Sequence, residues 1–352
     1  MDIADFTGPS YAELRPLKPK QSDTFPVYHD LVERLLRTEK YPDPAVAYTM
    51  AVCSGYAYGD LKTLAMIMAR MGLEQSNCRM VSEYVDALLL TSTSFLIQSK
   101  DGRVVILCYR GTPPTSLITW LTDFDIDPVK VKLAAPGADG EYDVHGGFYR
   151  NVRSTRYEIE RALTDAIAGR SVLAHGEPMP GPLEALYICG HSLGGASAAM
   201  LTAMLRTEPE FAGIAGKLRA VYTFGAPMIG SKEFAAACNK DDFMREKVIR
   251  YVYADDIVPQ VPPKESGRFA HFGAEYRYKP PRDHDTWYPS KPSKQLRNML
   301  ELATTPLSFL AKQLTLTRHI PFHASISDHL PQNYIDALRP REPQEVRSEF
   351  GD

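Results

Sequence analysis

Short apolar runs alternate with amphipathic stretches along most of this chain, and their spacing predicts the elements of the fold. Runs of β-branched and aromatic residues with the length of single strands predict strands. Leucines and small apolar side chains at helical spacing predict helices, and the pair Asp43-Pro44 is typical of a helix start. The predicted strands are 94–99, 103–109, 185–189, 218–224 and 248–253, and the predicted helices are 30–37, 43–52, 61–71 and 153–167.

The alternation of strands and helices predicts an α/β fold with a mostly parallel central sheet flanked by helices. The length of 352 residues is enough for one large domain of this kind. Residues 1–25 contain Pro9, Pro16 and Pro19 with lysines between them, so we expect an extended arm there. A single domain over 26–338 and a polar C-terminal tail over 339–352 complete the predicted organisation.

A proline-broken segment at 279–320 departs from the alternating pattern. It combines many leucines with lysines and arginines and holds few acidic residues. We expect a cap-like insert packed on the core. The alternative is that 291–318 forms a basic amphipathic surface that contacts a lipid interface peripherally.

Composition narrows the class of protein. A net charge of −3 gives no reason to expect a nucleic-acid partner. The five cysteines are few and odd in number, which argues against a disulfide framework and favours a reducing compartment. Cys108 and Cys189 lie inside predicted buried strands, where a free thiol acts as a small apolar group.

Targeting signals are not apparent in the sequence. The first residues lack the basic and apolar regions of a Sec-type signal peptide, and no run of about 18 apolar residues predicts a transmembrane segment. We therefore expect a cytoplasmic location, or export without a Sec-type signal.

The most informative motif is Gly190-His191-Ser192-Leu193-Gly194, which has the form Gly-x-Ser-x-Gly. A β-prone run precedes it and a run of small residues typical of a helix follows it. Strand, sharp turn and helix are the context of the nucleophile elbow in α/β-hydrolases, where the serine hydroxyl projects from the sheet. The motif predicts Ser192 as a catalytic nucleophile.

A serine nucleophile needs a base, and the base needs an orienting carboxylate. The acid is expected in the loop after the strand 248–253, where Asp255 and Asp256 compete. Spacing alone leaves His271 and His329 open as the base. Other candidates are His319 and His323, and more weakly His284; Pro321 between the first two disfavours a helical metal site there.

Seven segments, in order along residues 50–338, resemble the class 3 lipase family, the family of the fungal triacylglycerol lipases. They are Tyr109-Arg110-Gly111-Thr112, Trp120-Leu121-Thr122-Asp123, Val144-His145-Gly146-Gly147-Phe148, Gly190-His191-Ser192-Leu193-Gly194-Gly195-Ala196, Phe224-Gly225-Ala226-Pro227, Asp256-Ile257-Val258-Pro259, and Ser327-Asp328-His329-Leu330 with Tyr334.

The resemblance implies an α/β-hydrolase fold and a triad of Ser192, Asp256 and His329, with His271 as the fallback base. It implies an oxyanion hole formed by the backbone N–H groups of Thr112 and Leu193, assisted by the Thr112 hydroxyl. It also implies that His145 and His191 are structural hydrogen-bonding residues. No cofactor and no metal are expected.

The family also places a lid near the Trp-Leu-Thr-Asp segment. In this chain the lid is expected at 113–128, where Leu117, Ile118, Trp120 and Leu121 would control substrate access. The stretch between Thr112 and Trp120 is slightly longer than in the well-known fungal enzymes, which affects access to the site rather than its chemistry.

The expected function is hydrolysis of the carboxylic ester bonds of lipids, as a triacylglycerol lipase or carboxylesterase acting through an acyl-enzyme. Phospholipase A1 or mono- and diacylglycerol lipase activity is the first alternative. A non-catalytic lipid-binding module is the alternative of a different class, and the intact triad argues against it. No sequence feature favours peptide bonds over esters.

Overall fold

The computed structural model describes residues 24–85, 90–112, 128–135, 138–262, 269–279, 287–290, 327–340 and 346–348. The predicted lid at 113–128 and most of the insert at 279–320 lie outside these residues, as do most of the predicted N-terminal arm and C-terminal tail. Of the lid, only Pro128 is described.

The helices, numbered in chain order, are α1 Leu31–Arg37, α2 Pro44–Tyr56, α3 Leu61–Met71, α4 Gly146–Ile167, α5 Leu193–Thr207, α6 Ala212–Ala215, α7 Lys232–Cys238, α8 Asp242–Lys247 and α9 Pro331–Leu338. Short 3-10 turns cover Pro209–Phe211, Val258–Gln260 and Ser327–His329.

The strands are β1 Thr24–Pro26, β2 Asn77–Val85, β3 Leu90–Gln98, β4 Val104–Tyr109, β5 Pro128–Ala135, β6 Ala138–His145, β7 Ala185–His191, β8 Leu218–Phe224, β9 Gly230–Ser231, β10 Val248–Tyr253, β11 Phe269–Ala270, β12 Ala274–Tyr278, β13 Trp287–Ser290 and β14 Val346–Ser348.

An eight-stranded sheet in the order β13-β12-β10-β8-β7-β4-β3-β2 forms the centre of the described part. The pairings from β12 through β10, β8 and β7 to β4 are all parallel, and the pairings toward both edges are antiparallel. The predicted mostly parallel central sheet is therefore confirmed.

Helices cover both faces of this sheet. Alternate side chains of β4 enter opposite cores, because successive side chains of a strand point to opposite faces. Val105 and Leu107 pack with α4 and α5, whereas Ile106 and Cys108 pack with α2 and α3. Both faces are buried, which is why β4 and β7 read as continuous apolar runs.

Several predicted bounds differ from the structure. The helix predicted at 153–167 begins at Gly146, because Nδ1 of His145 caps it by accepting from the backbone N–H groups of Gly147 and Phe148. Gly146 and Gly147 have low helix propensity, which hid this start. The strand predicted from residue 94 begins at Leu90 in the structure. The prediction began too late because the first half of the strand carries polar threonines and serines.

Two smaller sheets complete the described part. Strands β11, β9, β6 and β5 form an antiparallel sheet. Strand β1 pairs with β14, so the polar tail predicted for 339–352 contains a short strand. No helix in the described ranges combines the length and the apolar character needed to cross a membrane.

Candidate active site

Ser192 occupies the turn between β7 and α5, with a φ of 59° and a ψ of −129°. A positive φ is strained for a residue with a side chain, and such strain persists only where the surroundings enforce it. The backbone N–H of Ser192 donates to Phe224 O at 2.9 Å, which ties the turn to the end of β8.

The close approach of neighbouring backbone atoms requires glycine at two positions of this turn. A Cβ on Gly190 would lie 2.3 Å from the backbone of Gly194, and a Cβ on Gly194 would lie 2.2 Å from Tyr109 O. These approaches leave no room for a side chain. They also press the start of α5 against the end of β4, the strand that leads to Thr112.

His329 and Asp256 form a buried pair. Nδ1 of His329 lies 2.8 Å from Oδ2 and 3.0 Å from Oδ1 of Asp256. The histidine is 3% exposed and the aspartate is fully buried. A carboxylate can only accept, so it fixes the proton on Nδ1 and leaves Nε2 as the acceptor on the opposite side of the ring.

The structure separates the two competing aspartates. Asp255 is exposed, and its backbone N–H donates to Oδ2 of Asp328 at 3.0 Å. This bond ties the acid loop to the turn that carries His329. Asp256, not Asp255, meets the histidine.

His271 lies away from this pair. Its ring Nε2 is 2.7 Å from Pro259 O, which accepts its hydrogen. Burial lowers the pKa of His271 to about 3. His271 is therefore neutral and bonds to the main chain of the loop that carries Asp256, not to the Asp256 carboxylate.

The site contains buried polar atoms without a hydrogen-bond partner among the described residues. Within the described residues, Ser192 Oγ, His329 Nε2 and Thr112 Oγ1 are buried and have no hydrogen-bond partner. Buried polar atoms are usually hydrogen-bonded, and exceptions occur at catalytic positions. These three belong to the predicted nucleophile, base and oxyanion hole.

The predicted oxyanion donors sit at the ends of neighbouring elements. Leu193 is the first residue of α5, where backbone N–H groups have no intrahelical acceptor and the helix dipole favours negative charge. Thr112 follows the end of β4, and a Cβ on the preceding Gly111 would lie 2.6 Å from His191 O. The two donors therefore flank the serine turn.

Gly225 lies directly beneath the acid and the base. It has a φ of 59°, and a Cβ there would lie 2.6 Å from Oδ2 of Asp256 and 2.9 Å from Nδ1 of His329. Phe224-Gly225-Ala226-Pro227 is visible as a motif, but only the folded chain shows what its glycine touches.

One group of described residues has the spacing of a metal site. The thiols of Cys53, Cys108 and Cys189 lie within 4.8 Å of one another. All three are buried inside the apolar core between α2 and the sheet. The thiols fill the core, as predicted for Cys108 and Cys189.

Comparison with known proteins shows a similarity to lipases. The family described as Lipase (class 3) matches residues 106–266. A triacylglycerol lipase, OBL1, of Ricinus communis is 29% identical over 254 residues, which cover 63% of this chain and 47% of that protein. A lipase of Rhizopus niveus is 29% identical over 197 residues, 54% of this chain and 42% of that protein. The chain thus spans less than half of these curated relatives.

Solved structures support the same fold. A lipase from Rhizopus microsporus var. chinensis superposes with a TM-score of 0.52 at 19% identity, covering 94% of this chain and 96% of the other. A triacylglycerol lipase described as having a serine protease triad gives a TM-score of 0.51 at 18% identity, covering 81% and 95%. The protein has an α/β-hydrolase fold, and its residues 106–266 match the class 3 lipase family.

Proposed function

We propose that this chain is a serine hydrolase that cleaves the carboxylic ester bonds of lipids through an acyl-enzyme. The observation that carries the proposal is the buried bond from His329 Nδ1 to Asp256, at 2.8 Å. It leaves His329 Nε2 unpartnered within the described residues, where Ser192 Oγ is also buried and unpartnered.

In this mechanism, Nε2 of His329 takes the proton of Ser192 as Oγ attacks the ester carbonyl. The backbone N–H groups of Leu193 and Thr112, with the Thr112 hydroxyl, stabilise the oxyanion; one such donor is typically worth about 3–4 kcal/mol. His329 then protonates the leaving alcohol, and water repeats the two steps to release the acid. Asp256 holds the ring and stabilises its charged form.

The substrate class is inferred from the relatives. Two of them are named triacylglycerol lipase or lipase, and we propose that this chain also acts on acylglycerol-type esters. A panel of triacylglycerols, partial acylglycerols and phospholipids, with fatty acid release as the measurement, distinguishes this activity from phospholipase A1.

The test of the chemistry is labelling by a fluorophosphonate, which reacts with activated serines. We expect labelling of the wild-type protein and hydrolysis of a p-nitrophenyl ester, and loss of both in Ser192→Ala. Ser154→Ala, which removes a hydroxyl bonded within α4 to Asn151 O at 2.9 Å, is the matched control and should behave as wild type. Equal labelling of Ser192→Ala and wild type would overturn the proposal.

We further propose that 113–128 and 291–318 contact the lipid surface; apart from Pro128, both segments lie outside the described residues. Trp120→Ala should then reduce the rise in rate on emulsions without changing hydrolysis of a soluble ester. Charge reversal at Lys291, Lys294, Arg297 and Lys312 should weaken sedimentation with anionic vesicles, more at low salt than at high salt. Unchanged rates and unchanged sedimentation would return both segments to a purely structural role.

A further inference from the structure

The imidazole of His191, the residue before the serine, lies between two partners. Its Nδ1 is 2.9 Å from the hydroxyl of Tyr58, and its Nε2 is 2.7 Å from the main-chain oxygen of His329. His191 is 2% exposed, and its ring lies against the His329 ring with centroids 4.5 Å apart.

These contacts define one tautomer. The carbonyl oxygen of His329 can only accept, so Nε2 of His191 carries the proton. Nδ1 is then an acceptor, and the Tyr58 hydroxyl donates to it. The groups facing the ring are Tyr58, His329 and Tyr334. Burial, with a smaller effect of His329, lowers the pKa of His191 well below its usual value, so the ring stays neutral.

Tyr58 also contacts the predicted oxyanion hole. A Cβ on Gly111 would lie only 2.0 Å from the Tyr58 hydroxyl, so this hydroxyl fills the space beside the residue that precedes Thr112. Tyr58 follows the end of α2 and is 8% exposed. One hydroxyl therefore touches the chain entering the oxyanion hole and the residue preceding the nucleophile.

We propose that Tyr58 and His191 are positioning residues, forming a hydrogen-bonded bridge that holds the catalytic base by its main-chain carbonyl. Asp256 fixes His329 through Nδ1 on the ring, and the bridge fixes the backbone of the same residue. Because His191 directly precedes Ser192 in the chain, the bridge sets the position of the base relative to the nucleophile. The role rests on the hydrolase function proposed above.

The bridge acts on geometry rather than on substrate binding. Its loss removes none of the three catalytic side chains but lets His329 move by a fraction of an ångström. Small misplacements of reacting groups are costly, because rate depends on near-attack geometry. We therefore expect losses in kcat with KM for a small soluble ester unchanged.

The experiment is a double-mutant cycle on a soluble p-nitrophenyl ester, with thermal unfolding followed in parallel. Tyr58→Phe should lower kcat about tenfold, as expected for one lost buried hydrogen bond. His191→Leu, which loses both bonds, should lower kcat more. His191→Gln should recover much of that loss, because its amide N–H can donate to the His329 carbonyl.

Two comparisons decide the outcome. Tyr58→Phe should have little further effect in the His191→Leu background, because the bridge is already broken. Tyr222→Phe is the matched control, since its hydroxyl is buried without a partner within the described residues, and it should leave kcat unchanged. Additive losses in the double variant, or a kcat for Tyr58→Phe equal to wild type, would overturn the proposal.

If His191→Leu does not fold, Tyr58→Phe and His191→Gln carry the test alone. A selective kcat loss in Tyr58→Phe, with His191→Gln retaining more than a tenth of wild-type kcat, supports the bridge. A Gln variant as inactive as Ser192→Ala contradicts it. Activity in wild type that is absent from Ser192→Ala establishes the hydrolase chemistry separately, so failure of the bridge and failure of the function are distinguishable.

Discussion

The hydroxyl of Tyr334 donates a hydrogen bond to Oδ2 of Asp256 at 2.5 Å. The same hydroxyl accepts from the backbone N–H of Tyr253 at 3.1 Å. Asp256 Oδ1 also accepts from the backbone N–H of Val258 at 2.9 Å. Burial raises the pKa of Tyr334 well above its usual value, so this hydroxyl remains a donor. The Asp256 carboxylate thus has three hydrogen-bonding partners, which are Tyr334, Val258 and His329.

Replacement of Tyr334 by phenylalanine should lower kcat by about ten- to a hundredfold, because a hydrogen bond to a carboxylate is typically worth about 1.5–3 kcal/mol. Steady-state kinetics on a soluble ester measure the effect, and KM should change little. Tyr222→Phe provides the reference for removing a buried tyrosine hydroxyl that has no partner in the described part of the chain. Equal kcat values for the two variants would show that Tyr334 does not support the acid.

Alanine at Gly225 should abolish most of the activity. The new Cβ would enter the space of the acid–base pair, 2.6 Å from Asp256 Oδ2, and would sit at a positive φ. Fluorophosphonate labelling should slow by at least about a hundredfold, since a base displaced by about 1 Å costs that much.

Gly213→Ala is the control for this substitution. Nothing lies within 4 Å of a Cβ at Gly213, which is inside α6. Alanine there should leave activity intact and should stabilise the helix by up to about 1 kcal/mol. Similar labelling rates for the two alanine variants would contradict the placement of Gly225 beneath the pair.

The two adjacent aspartates should respond differently to the same change. Asp256→Asn should lower kcat by about 10³–10⁴-fold, by analogy with loss of the orienting acid in serine hydrolases. Asp255→Asn should retain most activity, because that side chain is exposed and only its backbone N–H bonds to Asp328. A larger loss in Asp255→Asn than in Asp256→Asn would reverse the assignment.

Stability should fall with decreasing pH, in part through His145. Burial lowers the pKa of His145 to about 4, whereas an unfolded histidine has a pKa of about 6.5. Below that value the unfolded chain binds the proton and the folded protein does not. The free energy of unfolding is therefore undiminished above the unfolded pKa and declines between about 6.5 and 4, by at most about 1.4 kcal/mol per pH unit.

His145→Asn should make this decline shallower, because asparagine can cap α4 without titrating. Urea unfolding at a series of pH values measures the slope, and substitution of the exposed His175 by asparagine is the control. Identical slopes for wild type and His145→Asn would show that His145 is protonated equally in both states.

The sequence by itself determined the class of fold and pointed to Ser192 as the proposed nucleophile. Strand-length apolar runs such as Leu218–Phe224 and Val248–Tyr253 appear in the structure with the predicted bounds. These strands are largely buried on both faces, so each appears in the sequence as a nearly continuous apolar run. The strand-turn-helix context of Ser192 is local as well, because a turn this tight needs glycine on both sides.

Only the tertiary structure decided how distant residues meet. Spacing left His271 and His329 open, and the family resemblance alone favoured His329. The fold separates them, since His271 bonds to Pro259 O whereas His329 meets Asp256. The bridge from Tyr58 through His191 to His329 joins residues 133 and 138 positions apart. No periodicity records such a contact, because it exists only where α2, the elbow and the C-terminal turn pack together.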